Sequence, residues 1–179
     1  MPAFHQFLLF VLILPSMLHA QEDKEELVEW SAGRKLSWLD YKADPDRNSD
    51  AAASTTTYLA IQYNIRYNGF TYKINSKFSK DRSWGLHKTN YILSHEQGHF
   101  DLAEVFARKL HMRMTEYQFN AKTAQKDLKK IYQEVTSEKE KVQNDYDKET
   151  KHSINKSKQA EWLERIDSML KDYEQYANY

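Results

Sequence analysis

The sequence predicts an α+β chain in which a small antiparallel sheet, built from the N-terminal half, packs on three long helices. Two observations carry that reading. All four glycines and all three prolines lie at or before Gly98, so the rest of the chain lacks both strong helix breakers. Ahead of it, Thr57, Leu59, Ile61, Tyr63, Ile65 and Tyr67 alternate with Tyr58, Ala60, Gln62, Asn64 and Arg66, the period of a half-buried strand. Phe70, Tyr72, Ile74, Ser76 and Phe78 alternate in the same way, and an Asn68-Gly69 loop of type I′ is expected to join the two strands into a hairpin. Trp30, Leu36, Trp38, Leu39 and Tyr41 suggest one or two further strands, and residues 43–54, rich in Asp, Asn, Ser and Pro, read as loop.

The helical half divides into three. A first helix runs from about Asn90 to the region of Glu116, and a second carries the stripe Ala124, Leu128, Ile131, Val135, Val142, Tyr146. A third carries Trp162, Ile166, Leu170 and Tyr173, with Ser157 as its expected N-cap.

Residues 1–20 contain no Asp, Glu, Lys or Arg, and an apolar run from Phe7 to Leu14 precedes a small residue at Ala20. This is the pattern of a cleaved secretory signal, which makes 21–179 the mature chain, one domain, exported to the periplasm or secreted. The run falls short of the roughly 20 apolar residues of a membrane span. An uncleaved N-terminal anchor is the alternative, because the n-region carries no Lys or Arg. With no cysteine, an exported chain must be stable without disulfides. Lys plus Arg and Asp plus Glu are 26 each, so no net field draws in nucleic acid or an anionic membrane.

His95-Glu96-Gln97-Gly98-His99 is an H-E-x-x-H sequence on the first of these helices. Positions four apart return to nearly the same face, so both imidazoles can converge on one ion, which points to zinc. Glu96 lies beside that face and is expected to act as general base toward a zinc-activated water. Both histidines also continue the stripe Ile92, Ala103, Phe106, Leu110, so core packing is the competing explanation.

A catalytic zinc takes three protein ligands, and the third must come from elsewhere. Leu102 and Val105 stand where the longer H-E-x-x-H-x-x-G-x-x-H pattern needs glycine and histidine, which excludes it. Asp101 and Glu104 point away from the histidine face by helical geometry, toward a surface or outer-shell role. Glu116, Glu134 and Glu138 are candidates if the second helix packs beside the first. The densest cluster is Tyr146-Asp147-Lys148-Glu149-Thr150-Lys151-His152. There His152 is the natural ligand, Asp147 or Glu149 could ligate or orient an imidazole, and Tyr146 could donate to a developing oxyanion.

Leu36-Ser37-Trp38, Asp40-Tyr41, Ser83-Trp84, the run Leu93 to Asp101 with Ala107-Arg108, Tyr146-Asp147, Glu149-Thr150, His152, Gln159 and Trp162 together resemble a bacterial family, domain of unknown function 922, described as secreted zinc-dependent proteases. The resemblance covers most of the mature sequence. It implies a zincin-like fold, zinc as cofactor and His152 as third ligand, although Ser153 stands where the family has glycine. The expected activity is hydrolysis of a peptide or protein substrate, cell-wall peptide included. The alternative is a non-catalytic envelope binding or scaffold protein with a structural or relic zinc site.

Overall fold

The computed structural model describes residues 24–179, so the expected signal at 1–20 lies outside the described residues. Strands β1 (Leu27–Glu29), β3 (Thr57–Arg66) and β4 (Gly69–Ser79) form an antiparallel sheet in the order β1-β4-β3. A separate two-stranded antiparallel ribbon joins β2 (Ala53–Ser54) to β5 (Trp84–Gly85). Helices α1 (Asn90–Glu116), α2 (Ala124–Thr150) and α3 (Lys156–Asp172) make up the remainder, with a short 3-10 turn at Glu174–Tyr176. Among the described residues, no helix is long and apolar enough to cross a membrane.

The alternation that predicts the hairpin also determines what it buries. Ile61 pairs with Ile74, Tyr63 with Tyr72 and Ile65 with Phe70, so one sheet face is apolar. That face meets Phe106, Ala107 and Leu110 of α1 and Leu128, Ile131 and Val135 of α2. Each of these side chains larger than Ala107, fully buried, contributes about 1.5–3 kcal/mol. Helix α3 packs on α1 and α2, where Trp162 and Ile166 close over Leu102 and Tyr146.

Four local expectations are corrected. The hairpin loop is Tyr67-Asn68, since Arg66 pairs with Gly69, and neither loop residue has the positive φ of a type I′ turn. Moving the loop by one residue leaves each side chain on the same face, so burial does not distinguish the two registers. Trp30, Leu36, Trp38, Leu39 and Tyr41 form no strand; Trp38–Asp40 is a 3-10 turn, held by Asp40 Oδ2 accepting from the Ser37 amide at 3.0 Å and from Ser37 Oγ at 3.1 Å. The N-cap of α3 is Asn155, whose side chain accepts from Lys158 N at 3.2 Å, whereas Ser157 lies inside the helix.

The fourth concerns the far side of α1, where Asp101, Glu104 and Arg108 are buried. Trp30 Nε1 and Gln97 Nε2 donate to Asp101 Oδ1 at 2.7 and 2.8 Å, tying the N-terminal segment to the helix. Arg108 Nε donates to Glu104 Oε1 at 2.9 Å, and its guanidinium lies 5.1 Å from the Trp30 ring centre. Tyr179 donates to the other Glu104 oxygen at 2.6 Å. Segments distant in sequence cover this side, which helical geometry alone does not reveal.

The end of α2 is unusual. Lys151, His152 and Ser153 have φ of 50°, 49° and 73°, three successive non-glycine residues in the left-handed region. Each costs about 1–2 kcal/mol relative to right-handed backbone. The turn is held by His152 N donating to Asp147 O at 3.0 Å, Asn155 N to Thr150 O at 2.8 Å and Tyr91 Oη to Ser153 O at 2.9 Å. Ser153 thus adopts the backbone geometry for which glycine is better suited.

Candidate metal centre

His95 and His99 lie one turn apart on α1, facing α2. The buried stripe of α2 runs Leu128, Ile131, Val135 and then, at the same period, Lys139, Gln143, Tyr146 and Thr150. The second half of that stripe is therefore polar and sits opposite the histidines. Asp147, one turn beyond Gln143, completes the approach.

His95 Nε2 lies 3.1 Å and His99 Nε2 3.0 Å from Asp147 Oδ1. These three donor atoms all fall within 4.8 Å of one another. A tetrahedral ion with bonds of about 2.0–2.1 Å separates its ligand atoms by roughly 3.4 Å, so the spacing and the two-nitrogen, one-oxygen donor set fit a small divalent cation. His152 Nδ1 stands 3.4 Å from the same Asp147 oxygen, at the rim, with its side chain about half exposed.

Gln143 determines the state of His99. Its Nε2 donates to the His99 carbonyl at 2.9 Å, which orients the amide so that Oε1 accepts from His99 Nδ1–H. Nδ1 thereby keeps its proton, which leaves Nε2 as the nitrogen that donates to Asp147 when the ring is protonated and that would ligate a cation when it is not. On His95 the Nδ1 atom has no hydrogen-bond partner among the described residues, and the ring is held by stacking on Tyr146 at 4.4 Å and 27°.

The two imidazoles titrate in opposite directions. Burial lowers the pKa of His95, and the Asp147 hydrogen bond only partly offsets it. Burial also acts against protonated His99, but there the Asp147 hydrogen bond, the Asp147 and Glu96 charges and the Gln143 bond outweigh it and raise the pKa. Asp147 resists its own burial penalty, because the two imidazoles hold its carboxylate well below the usual range. Without a cation, the centre is thus an ionised aspartate paired chiefly with His99.

Glu96 is buried beside this cluster without belonging to it. Thr55 Oγ1 donates to Glu96 Oε2 at 2.7 Å. Having a single hydrogen, Thr55 must accept from Tyr41 Oη, 2.8 Å away, so the chain runs Tyr41 to Thr55 to Glu96. Tyr41 stays protonated, its pKa pushed up by burial and then by the Glu96 charge. Glu96, the histidines, Asp147 and residues 51–57 line a cavity of about 350 Å³.

A family model described as "Bacterial protein of unknown function (DUF922)" matches residues 21–153. The chain belongs to the DUF922 family. The match takes in the sheet, α1, α2 and the turn bearing His152, and α3 lies beyond it. No curated protein and no solved structure matches the chain.

In this DUF922 chain His95, Glu96 and His99 come together as the motif spacing requires, and Asp147 joins the two histidines more closely than His152 does. Tyr146 is fully buried, outside the cavity lining, and its hydroxyl donates to the His95 carbonyl at 3.2 Å. Glu149 accepts from Trp162 Nε1 at 2.8 Å, Glu134 pairs with Arg113 at 2.8 Å and Glu138 pairs with Lys109, while Glu116 is exposed.

Sequence reasoning missed Gln143 and Thr55. Gln143 was detectable: carrying the α2 stripe past Val135 at the same period lands on Lys139 and Gln143, polar residues at core positions. Thr55 left no such signal. Removing the amide in Gln143→Ala is expected to lower the affinity for a divalent ion such as zinc by roughly 10–100-fold, measured by competition with a chromophoric chelator, with the fold intact by circular dichroism.

Proposed function

We propose that this DUF922 chain is an exported zinc-dependent hydrolase of peptide bonds with a zincin-like arrangement of sheet and motif helix. The observation that carries the reading is the convergence of His95 Nε2, His99 Nε2 and Asp147 Oδ1, with Glu96 in the same cavity wall but outside the cluster. That is the division of labour between ligands and base that metal-assisted hydrolysis needs.

Zinc held by those three donors would polarise a carbonyl and lower the pKa of water at the site to about 7. His99 is fixed by Gln143 and His95 by Tyr146, so the imidazoles need little reorganisation. With Oε2 of Glu96 held by Thr55, Oε1 is the oxygen left to take a proton from the attacking water and return it to the departing amine nitrogen. Among the described residues strand β2 pairs with β5 along one edge only, and it lies in the cavity wall, so an extended peptide or protein segment, cell-wall peptide included, can add to its other edge through main-chain hydrogen bonds.

One observation favours the second reading, a structural zinc in an envelope binding protein. His95, His99 and His152 nitrogens all stand within 3.4 Å of one Asp147 oxygen, so four protein donors are at hand, as in closed structural sites. Metal removal separates the two. The zinc-loaded chain is expected to cleave denatured casein, to stop on addition of 1,10-phenanthroline and to recover with added zinc while remaining folded throughout. A structural zinc would show no cleavage at any stage, and its removal would unfold the chain.

A further inference from the structure

A second cavity, of about 410 Å³, opens directly beside the metal centre. It shares Ala51, Ala52 and His152 with the cavity that holds Glu96 and the histidines. Its apolar wall is Leu86, Tyr91, Ile92 and Ile154.

Much of that wall is tied to the metal centre by short stretches of chain. Ile92 precedes His95 by three residues on α1, hence one turn away on the same face. Ile154 follows His152 by two residues on the strained turn, and Ala51-Ala52 lead straight into β2. Ile154 is 75% exposed, a large aliphatic side chain left in water at the mouth of the cavity. Asp50 and Lys156 also line it, and their opposite charges leave no net field to select an ion.

On the proposed function, a peptide lying along the open edge of β2 with its carbonyl at the metal centre projects the neighbouring side chain into this space. We infer that this cavity is a specificity subsite for a bulky apolar residue, Leu, Ile, Phe or Met, adjacent to the scissile bond. The substrates are therefore peptides cleaved next to such a residue. The inference rests on the hydrolase reading for its orientation and on the second cavity for its chemistry.

The test is calorimetric titration of the zinc-loaded full chain with three probes: acetohydroxamic acid, which has no side chain, and the hydroxamates of N-acetyl-leucine and N-acetyl-aspartate. The leucyl probe is expected to bind at least about tenfold tighter than the aspartyl probe. Ile154→Asp, at an exposed position that cannot threaten the fold, and Ile92→Asp are each expected to erase that preference while leaving acetohydroxamic acid binding unchanged. Equal affinity of the two side-chain probes in the wild type, or a preference that survives both substitutions, would overturn the subsite. Failure of acetohydroxamic acid itself to bind in a zinc-dependent way would instead overturn the hydrolase reading, and the subsite with it.

Discussion

Replacing Glu96 by glutamine is expected to lower kcat for peptide hydrolysis by roughly 10²–10⁴-fold, the range that a positioned general base contributes. Zinc content and thermal stability should change little, because Glu96 is outside the donor cluster and glutamine fills the same volume. The amide oxygen can still accept from Thr55, so the Tyr41–Thr55 chain should survive and only proton transfer is lost. Side-by-side turnover and elemental analysis of wild type and variant check this. Unchanged cleavage in a zinc-replete Glu96→Gln protein would remove Glu96 from the chemistry.

Tyr146→Ala is expected to cost about 3–5 kcal/mol, as for other fully buried aromatics. The ring has no exposed surface, stacks on His95 and lies against Trp162 at 5.4 Å. Its fit is close enough that a methyl added at Gly98 would stand 2.6 Å from Tyr146 Oη, which explains a glycine inside the motif helix. Losing the ring also frees His95, whose Nδ1 has no hydrogen-bond partner among the described residues, so zinc affinity should fall together with stability. Tyr146→Phe removes only the hydrogen bond to the His95 carbonyl and should cost about 1 kcal/mol. Urea unfolding and turnover of both variants decide the residue's role. If Tyr146→Phe is stable and zinc-loaded yet loses orders of magnitude in kcat, the phenol acts on substrate and is not merely a support for His95.

The sequence carried the fold where periodicity is long and one face is buried. The extent of α1, the existence and buried stripe of α2 and both strands of the hairpin follow from periodicity, with no Gly or Pro after Gly98 to interrupt the helices. It failed where two solutions bury the same residues, as in the hairpin loop, or where remote segments cover a helix face, as Trp30 and Tyr179 cover Asp101, Glu104 and Arg108. In the site, His95, Glu96 and His99 were legible because helical geometry fixes their relation. The third donor was not, because Asp147 faces the histidines from inside α2, one turn beyond Gln143, whereas the run of positive φ angles after Thr150 leaves His152 at the rim. Spacing along a chain does not encode such a turn.

Zinc content by elemental mass spectrometry, on the purified chain beside His99→Ala, Asp147→Ala and His152→Ala forms, tests the metal centre most directly. The expected result is close to one zinc per wild-type chain, lost in His99→Ala and Asp147→Ala and largely kept in His152→Ala. A wild-type chain that stays metal-free after zinc addition would contradict it, leaving His95, His99 and Asp147 as a partly buried ion-paired cluster and nothing more.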